Sequence, residues 1–314
     1  MTQFRYAIVL YAYNQEDCVR AGVQSVLAQD CAPIDIVLSD DCSQDGTFKV
    51  FQEEAAAYSG PHRIILNRNP QNLGISAHIN RVFTLTDADV LINLAGDDLC
   101  LPDRARKTIE VFERDRPLLV CSRARAVYED GSPAPHNYAK ADFYHKVDAL
   151  TASTSMQSHL GATACWHRDL FTKYGPIRFK ECFEDLVFGF RAALEDRVAV
   201  IDDELIIYQM GRGITNSARG PETPSEVRKR RDKELRYEIS SLEQRQLDAG
   251  TFGLGQGHAI SRRISKALKA RKLRRLYVTE GLMPVLKAGL LTPLLTLGAI
   301  LSENRRWRKA LRNS

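Results

Sequence analysis

An α/β fold, with a mostly parallel Rossmann-like central sheet flanked by helices and a helical C-terminal extension, is predicted by three features of the sequence. Short apolar, β-branched runs alternate with helical periodicities through the first 115 residues. The residues that end two of those runs are acidic, at Asp40, Asp41, Asp97 and Asp98. From Pro224 onward the composition changes to long charged stretches with helical character.

The elements follow in order. "YAIVL", Tyr6 to Leu10, is a run of the kind buried in a parallel sheet. After a polar loop, Val19, Val23, Val26 and Leu27 recur at helical spacing. "IDIVLSDDCSQDGT" gives a second strand from Ile34 to Leu38, then a loop with Asp40, Asp41 and Asp45 that Gly46 closes. A helix from Phe48 to Tyr58, a strand from His62 to Arg68, a helix from Ile75 to Thr86 and a strand from Asp89 to Ala95 come next. The last of these delivers Asp97 and Asp98. A helix from Arg104 to about Arg114 precedes a strand and turn in "PLLVCSRARAVYEDGS". Residues 135–158 read as an irregular, partly helical polar segment. "GATACWHRDLFTKYG" and "ECFEDLVFGFRAALED" give two short elements, the second a helix, and "VAVIDDELIIYQMGRGITNS" reads as two strands and a Gly-rich loop. A charged helix over 225–249, a Gly-rich link over 250–258 and a basic helix over 260–277 complete this part.

With 314 residues, 44% of them hydrophobic, the chain can bury one large α/β domain, taken as 1–224, with 225–314 as a helical appendage. The two parts differ in charge, −8 for the first and +13 for the second. Seven cysteines, Cys18, Cys31, Cys42, Cys100, Cys121, Cys165 and Cys182, contain no CxxC pair, and no secretory leader precedes the first apolar run. The expectation is a reducing cytoplasm, without a disulfide framework or a zinc site. Neither GxGxxG nor GxxxxGK[ST] follows a strand, which excludes the dinucleotide-binding and P-loop fingerprints.

Ligands of open parallel sheets bind at the carboxyl ends of the strands, where this chain places Asn14, Asp40, Asp41, Asp97 and Asp98. Two adjacent carboxylates repel, and the usual compensation is a hard divalent cation that completes its shell with substrate phosphates. That chemistry points to a diphosphate-bearing substrate bridged by manganese or magnesium. The structural alternative has Asp97 capping the helix that Pro102 helps to start, with Asp98 in its first turn.

An ordered set of motifs then carries a resemblance: "VLYAYN", "QSVLAQ", "VLSDDCSQDGT", "NLGISAHIN", "LAGDDL", "GATACWHRDLF", "FEDLVFGFR" and "ELIIYQ", spanning about two thirds of the chain. In this order they resemble the inverting family 2 glycosyltransferases of the GT-A fold. The resemblance implies a nucleotide-sugar side over about 1–115 and an acceptor side over about 116–224. It implies that Asp40 or Asp41 holds the base or ribose, aided by the backbone near Tyr11 and Tyr13, with Asn80 beside the donor. Asp97 would approach the ribose or the metal, and Asp98 would ligate the metal. Asp185 would be the base that deprotonates the acceptor hydroxyl, with Glu184 the neighbouring candidate and Trp166 on the acceptor side. Arg212 is read as a diphosphate contact or a loop cation, while His78, His159 and His167 are read as surface or loop histidines.

The resemblance further implies transfer of a single sugar, most simply from a UDP-sugar, to a glycan hydroxyl. The acceptor is expected to be lipid-linked, in surface polysaccharide assembly at the inner face of the membrane. The alternatives are a sugar nucleotidyltransferase and a non-catalytic carbohydrate-binding protein. "LMPVLKAGLLTPLLTLGAIL", Leu282 to Leu301, is too short in its uncharged part to span a bilayer and reads as a helix pair. Its basic flanks and Trp307 suit either an anionic membrane surface or a packing role, on this chain or in a homodimer. The absence of an RNA or DNA motif argues against nucleic acid.

Overall fold

The computed structural model describes residues 3–134, 148–157, 159–211 and 222–310. Its centre is one eight-stranded sheet. The first four long strands are β1 (Tyr6–Ala12), β2 (Asp35–Asp40), β3 (Arg63–Arg68) and β4 (Val90–Ala95), separated by α1 (Val19–Leu27), α2 (Thr47–Ala57) and α3 (Ile75–Val82). A two-residue β5 (Leu99–Cys100) and α4 (Arg104–Asp115) follow, then β6 (Leu119–Val127), α5 (Ala149–Ala152), β7 (Cys165–His167), α6 (Asp169–Thr172), α7 (Glu184–Leu194) and β8 (Val198–Gln209). Four helices follow among the described residues, α8 (Pro224–Thr251), α9 (Ala259–Glu280), α10 (Leu282–Ala288) and α11 (Pro293–Ala310).

The strand order is β3-β2-β1-β4-β7-β6-β8-β5. β1 lies between β2 and β4 with all three parallel, and every residue of β1 is buried, which explains its uninterrupted apolar sequence. The chain leaves β1 toward β2 and later returns to β1's other side as β4, so a crevice opens beyond the carboxyl ends of β1 and β4. The other half of the sheet is mixed: β7 runs antiparallel to both β4 and β6, whereas β6 and β8 are parallel.

The stretch expected to hold two strands forms one, β8. Its register against β6 shifts at Ser122, Arg123 and Ala124, opposite the polar "DDE" of Asp202 to Glu204. The irregularity absorbs that interruption, and both halves pair with the same neighbour. The helix predicted from Ile75 to Thr86 ends at Val82, where a turn carried by Thr84 N–H to Arg81 O and Leu85 N–H to Val82 O replaces it.

In the C-terminal helices, Thr223 and Glu226 form a reciprocal capping box that opens α8. α8 joins α7 through buried Arg191, whose guanidinium donates to both oxygens of Asp248 at 2.8 and 3.0 Å. The segment Leu282 to Leu301 is a helix pair, α10 and the first half of α11, turning over Gly289. A Cβ at that glycine would overlap Thr296.

Candidate active site

Four loops converge at the crevice. Beyond β1, Asn14 takes the left-handed conformation at φ 51°, and its N–H donates to Ser43 Oγ at 2.8 Å. In return Gln44 N–H donates to Asn14 Oδ1 at 2.8 Å, so the loops after β1 and β2 interlock. Tyr13, on the first of these loops, is 44% exposed. Tyr11 is buried: its hydroxyl donates to Asn93 Oδ1 at 3.0 Å and its carbonyl accepts from Gly96 N–H at 2.8 Å. Its phenol is thus part of the scaffold, and the expectation for this position concerns the backbone.

Asp40 and Asp41 are buried at the end of β2 and both are engaged by the chain itself. Asp40 accepts from the N–H and hydroxyl of Ser43 and pairs with Arg68 at 3.4 Å. Asp41 accepts from Asn69 Nδ2 at 2.8 Å and from the N–H groups of Leu73 and Gly74, both at 2.9 Å. These two carboxylates fix the loops on one side of the crevice.

Asp97 and Asp98 follow β4, as the sequence requires. The loop lies tight on α1, where a Cβ at Gly22 would come within 3.0 Å of Gly96 O and 3.2 Å of Asp98 O. Helix capping does not explain the pair, because α4 begins only at Arg104 with Asp103 at its cap. Asp98 Oδ1 accepts from the backbone N–H of Gln209 at 2.9 Å, which ties the end of β8 to the site. Its other oxygen, Oδ2, is buried and accepts no hydrogen bond from the described residues. Burial first, and then neighbouring Asp97, push the Asp98 carboxyl well above the usual range, against the opposing pull of Gln209 N–H and Arg104. Ionisation of this carboxyl needs a compensating positive charge, which a bound cation would supply. No cluster of three His, Cys, Asp or Glu side chains able to hold a metal occurs among the described residues, so a cation here would draw further oxygens from a bound ligand.

Across the crevice, α7 starts with Glu184 and Asp185 in its first turn, where the helix dipole favours negative charge. Burial raises both carboxyls. Asp185 raises Glu184 further, whereas Leu186 N–H and Arg245 draw Asp185 back down. Glu184 closes on the strand ends: its charge is felt by Tyr11, and a Cβ at Gly161 would lie 3.2 Å from Glu184 Oε1. The motif glycine at 161 thus leaves room for this carboxylate.

Two expected residues lie elsewhere. Trp166 is 1% exposed in β7 and stacks on Phe188 at 4.3 Å, so it belongs to the core and not to the acceptor side. Asn80 has both ends of its amide committed to Ile177: Nδ2 donates to its carbonyl at 2.8 Å and Oδ1 accepts from its N–H at 3.0 Å. It latches α3 to the segment before α7. Arg212 lies outside the described residues. All three histidines are buried, contrary to expectation. His78 bonds Ser39 Oγ at 2.6 Å and meets the Tyr11 ring edge-on, while burial pushes His159 down to about 3. Sequence reasoning also missed Gln209, whose contribution is a backbone N–H and therefore leaves no side-chain signature.

An eight-stranded sheet of this order, with carboxylates at the ends of β2 and β4 and at the start of α7, defines a GT-A glycosyltransferase fold. The Glycosyl transferase family 2 profile matches residues 7–175, more than half of the chain, and the chain belongs to that family. Over 219 residues it is 28% identical to the uncharacterized protein Mb1547 of Mycobacterium bovis, an alignment covering 68% of this chain and 61% of the relative's own length. It is 35% identical over 109 residues to the succinoglycan biosynthesis protein ExoO of Rhizobium meliloti, covering 32% of this chain and 28% of that one. Among solved structures, Staphylococcus aureus TarS 1-349 in complex with UDP-GlcNAc superimposes with a TM-score of 0.59 at 15% identity, covering 98% of this chain and 92% of TarS. The mannosyltransferase PcManGT of Pyrobaculum calidifontis, in complex with GDP-Man and Mn2+, gives 0.55 at 15% identity, covering 98% and 83%.

Proposed function

We propose that this chain is an inverting transferase that moves one sugar from a nucleoside diphosphate donor, most simply a UDP-sugar, to a hydroxyl of a glycan acceptor. The observation that carries the reading is the presence of two kinds of buried carboxyl: Asp98, with an oxygen that accepts no hydrogen bond from the described residues, and the pair Glu184 and Asp185 at a helix N-terminus.

An alcohol is a weak nucleophile at neutral pH, so the acceptor hydroxyl needs a carboxylate to take its proton as the new bond forms. Within the pair, Leu186 N–H and Arg245 favour charge on Asp185, whereas burial and Asp185 itself keep Glu184 protonated. Asp185 is then the base and Glu184 a neutral neighbour. On the donor side Asp98 Oδ2, with Asp97 beside it, would hold manganese or magnesium, which supplies neutralisation of the charge developing on the leaving diphosphate. One base and one leaving-group site on opposite faces give a single displacement with inversion, and no second nucleophilic carboxylate is required. The TarS complex with UDP-GlcNAc and the PcManGT complex with GDP-Man and Mn2+ support the donor class and the cation. The likeness to ExoO supports a place in polysaccharide biosynthesis. The acceptor we propose is lipid-linked, at the cytoplasmic face of the membrane.

Calorimetric titration of UDP and GDP, with and without manganese, tests the reading. Binding of one nucleotide should depend on manganese and weaken by about a hundredfold or more in Asp98→Asn. Equal affinity with and without manganese in both proteins would overturn the assignment of Asp98.

A further inference from the structure

Eight of the thirteen large apolar side chains that the described residues leave exposed lie between Leu282 and Leu301. They concentrate on the outside of the α10–α11 hairpin. Leu291, Leu294 and Leu290 at its turn are 92%, 85% and 77% exposed, and Met283, Leu286 and Leu297 continue the surface along the two helices. So dense an apolar patch marks an interaction surface.

The hairpin cannot hide this face by folding inward, because its other face is already occupied. Val285 and Ala299 are buried against Leu273 of α9. Glu303 of α11 is completely buried and accepts from Arg231 Nε at 2.9 Å, Arg231 NH2 at 3.1 Å and Arg274.

Charge selects the occupant. Of the eight cations of α9, the four nearer the hairpin are paired: Arg271 with Glu238, Lys272 with Glu243, Arg274 with Glu303 and Arg275 with Asp232. Lys287, Arg305 and Arg306, which flank the leucines, are exposed and form no ion pair among the described residues. A second copy would bring together two segments that each carry +13 over residues 225–314, which like-charge repulsion opposes. An anionic lipid surface complements both the leucines and the cations. No helix among the described residues is long and apolar enough to cross a membrane, so the hairpin would lie in the interface plane.

We propose that the α10–α11 hairpin docks this protein on an anionic membrane surface, with Leu290, Leu291 and Leu294 inserted below the headgroups and Lys287, Arg305 and Arg306 at their level. The inference stands independently of the transfer reaction. α11 is fixed to α8 by the Glu303 pairs, and α8 to α7 by Arg191 and Asp248, so docking would hold the catalytic crevice at a set attitude to the lipid surface.

The test is flotation of the full chain with vesicles of phosphatidylcholine alone and of phosphatidylcholine with phosphatidylglycerol in equal parts, alongside its mass by light scattering. The chain should float with the anionic vesicles, less so at high salt. Leu291→Glu/Leu294→Glu, at positions too exposed to affect folding, should lower the partition coefficient by about tenfold or more. Arg305→Gln/Arg306→Gln should lower it less. Failure of the wild-type chain to float, or undiminished flotation of the double-leucine variant, overturns the proposal. So does a dimer that Leu291→Glu/Leu294→Glu dissociates while flotation is absent throughout, since that assigns the face to a second copy.

Discussion

The crevice beyond β1 and β4 and the helical region from α8 to α11 both bury charge, but in opposite company. In the helical region buried arginines meet matching carboxylates: Arg191 with Asp248, and Arg231 and Arg274 with Glu303. In the crevice the buried carboxyl of Asp98 keeps an oxygen without a hydrogen bond from the described residues, and Glu184 and Asp185 are pushed upward by burial. The difference is informative because a buried charge is tolerated only when it is paired, protonated or liganded. A buried charge met by an opposite charge marks architecture, and a buried carboxylate set beside another carboxylate marks a place for a ligand.

The largest effect that would sharpen this contrast is on transfer itself. Asp185→Asn should lower kcat by about 10²–10⁴-fold while leaving nucleotide affinity unchanged, measured by initial rates and calorimetry. Undiminished turnover would remove Asp185 from the reaction and place the pair among the structural charges.

In the helical region the corresponding change should act on stability. Arg191→Met leaves Asp248 buried without its partner and should destabilise the fold by about 3–5 kcal/mol in urea unfolding. The double change Arg191→Met/Asp248→Leu should recover most of that loss, because an apolar pair needs no desolvated charge. A double variant no more stable than the single one would show that Asp248 does more than neutralise Arg191.

The crevice pair also sets a pH dependence of its own. Burial raises Glu184 and Asp185, so above the ordinary carboxylate range the folded chain holds protons that the unfolded chain has released. Stability from this pair is therefore present in acid and lost as pH rises through the raised values, while kcat climbs over the same window because the base must be ionised. Asp185→Asn should flatten part of the stability slope. Thermal unfolding across this range checks the sign, and a wild-type slope that matches the variant's would contradict it.

A smaller change bears on Asn80, whose amide bonds to Ile177. Asn80→Ala should lower stability by about 1–3 kcal/mol, since Ile177 N–H loses its acceptor, and should leave nucleotide affinity unchanged. The smallest effect is expected at the surface pair of Arg63 and Asp35, where Arg63→Ala should cost about 1 kcal/mol or less because the arginine side chain is 71% exposed.

The sequence by itself determined the alternation of buried strands and helices from Tyr6 to Asp115, because hydrophobic periodicity is a local property written into adjacent residues. It also placed Asp97 and Asp98 at a strand end, and Glu184 and Asp185 at a helix start, since motif order follows chain order. What it could not supply was the company each side chain keeps. Asn80 and Trp166 looked like site residues by position, yet the segment at Ile177 claims one and the core around Phe188 the other. The three histidines looked exposed until helix and sheet closed over them. The basic run of α9 looked like a lipid-facing flank until carboxylates from α8 and α11 paired with four of its cations. Whether a charge is spent or available depends on partners tens of residues away, such as Asp248 for Arg191 or Gln209 for Asp98. Only packing brings those partners within hydrogen-bonding distance, and so only the tertiary structure could tell which charges were left for ligands.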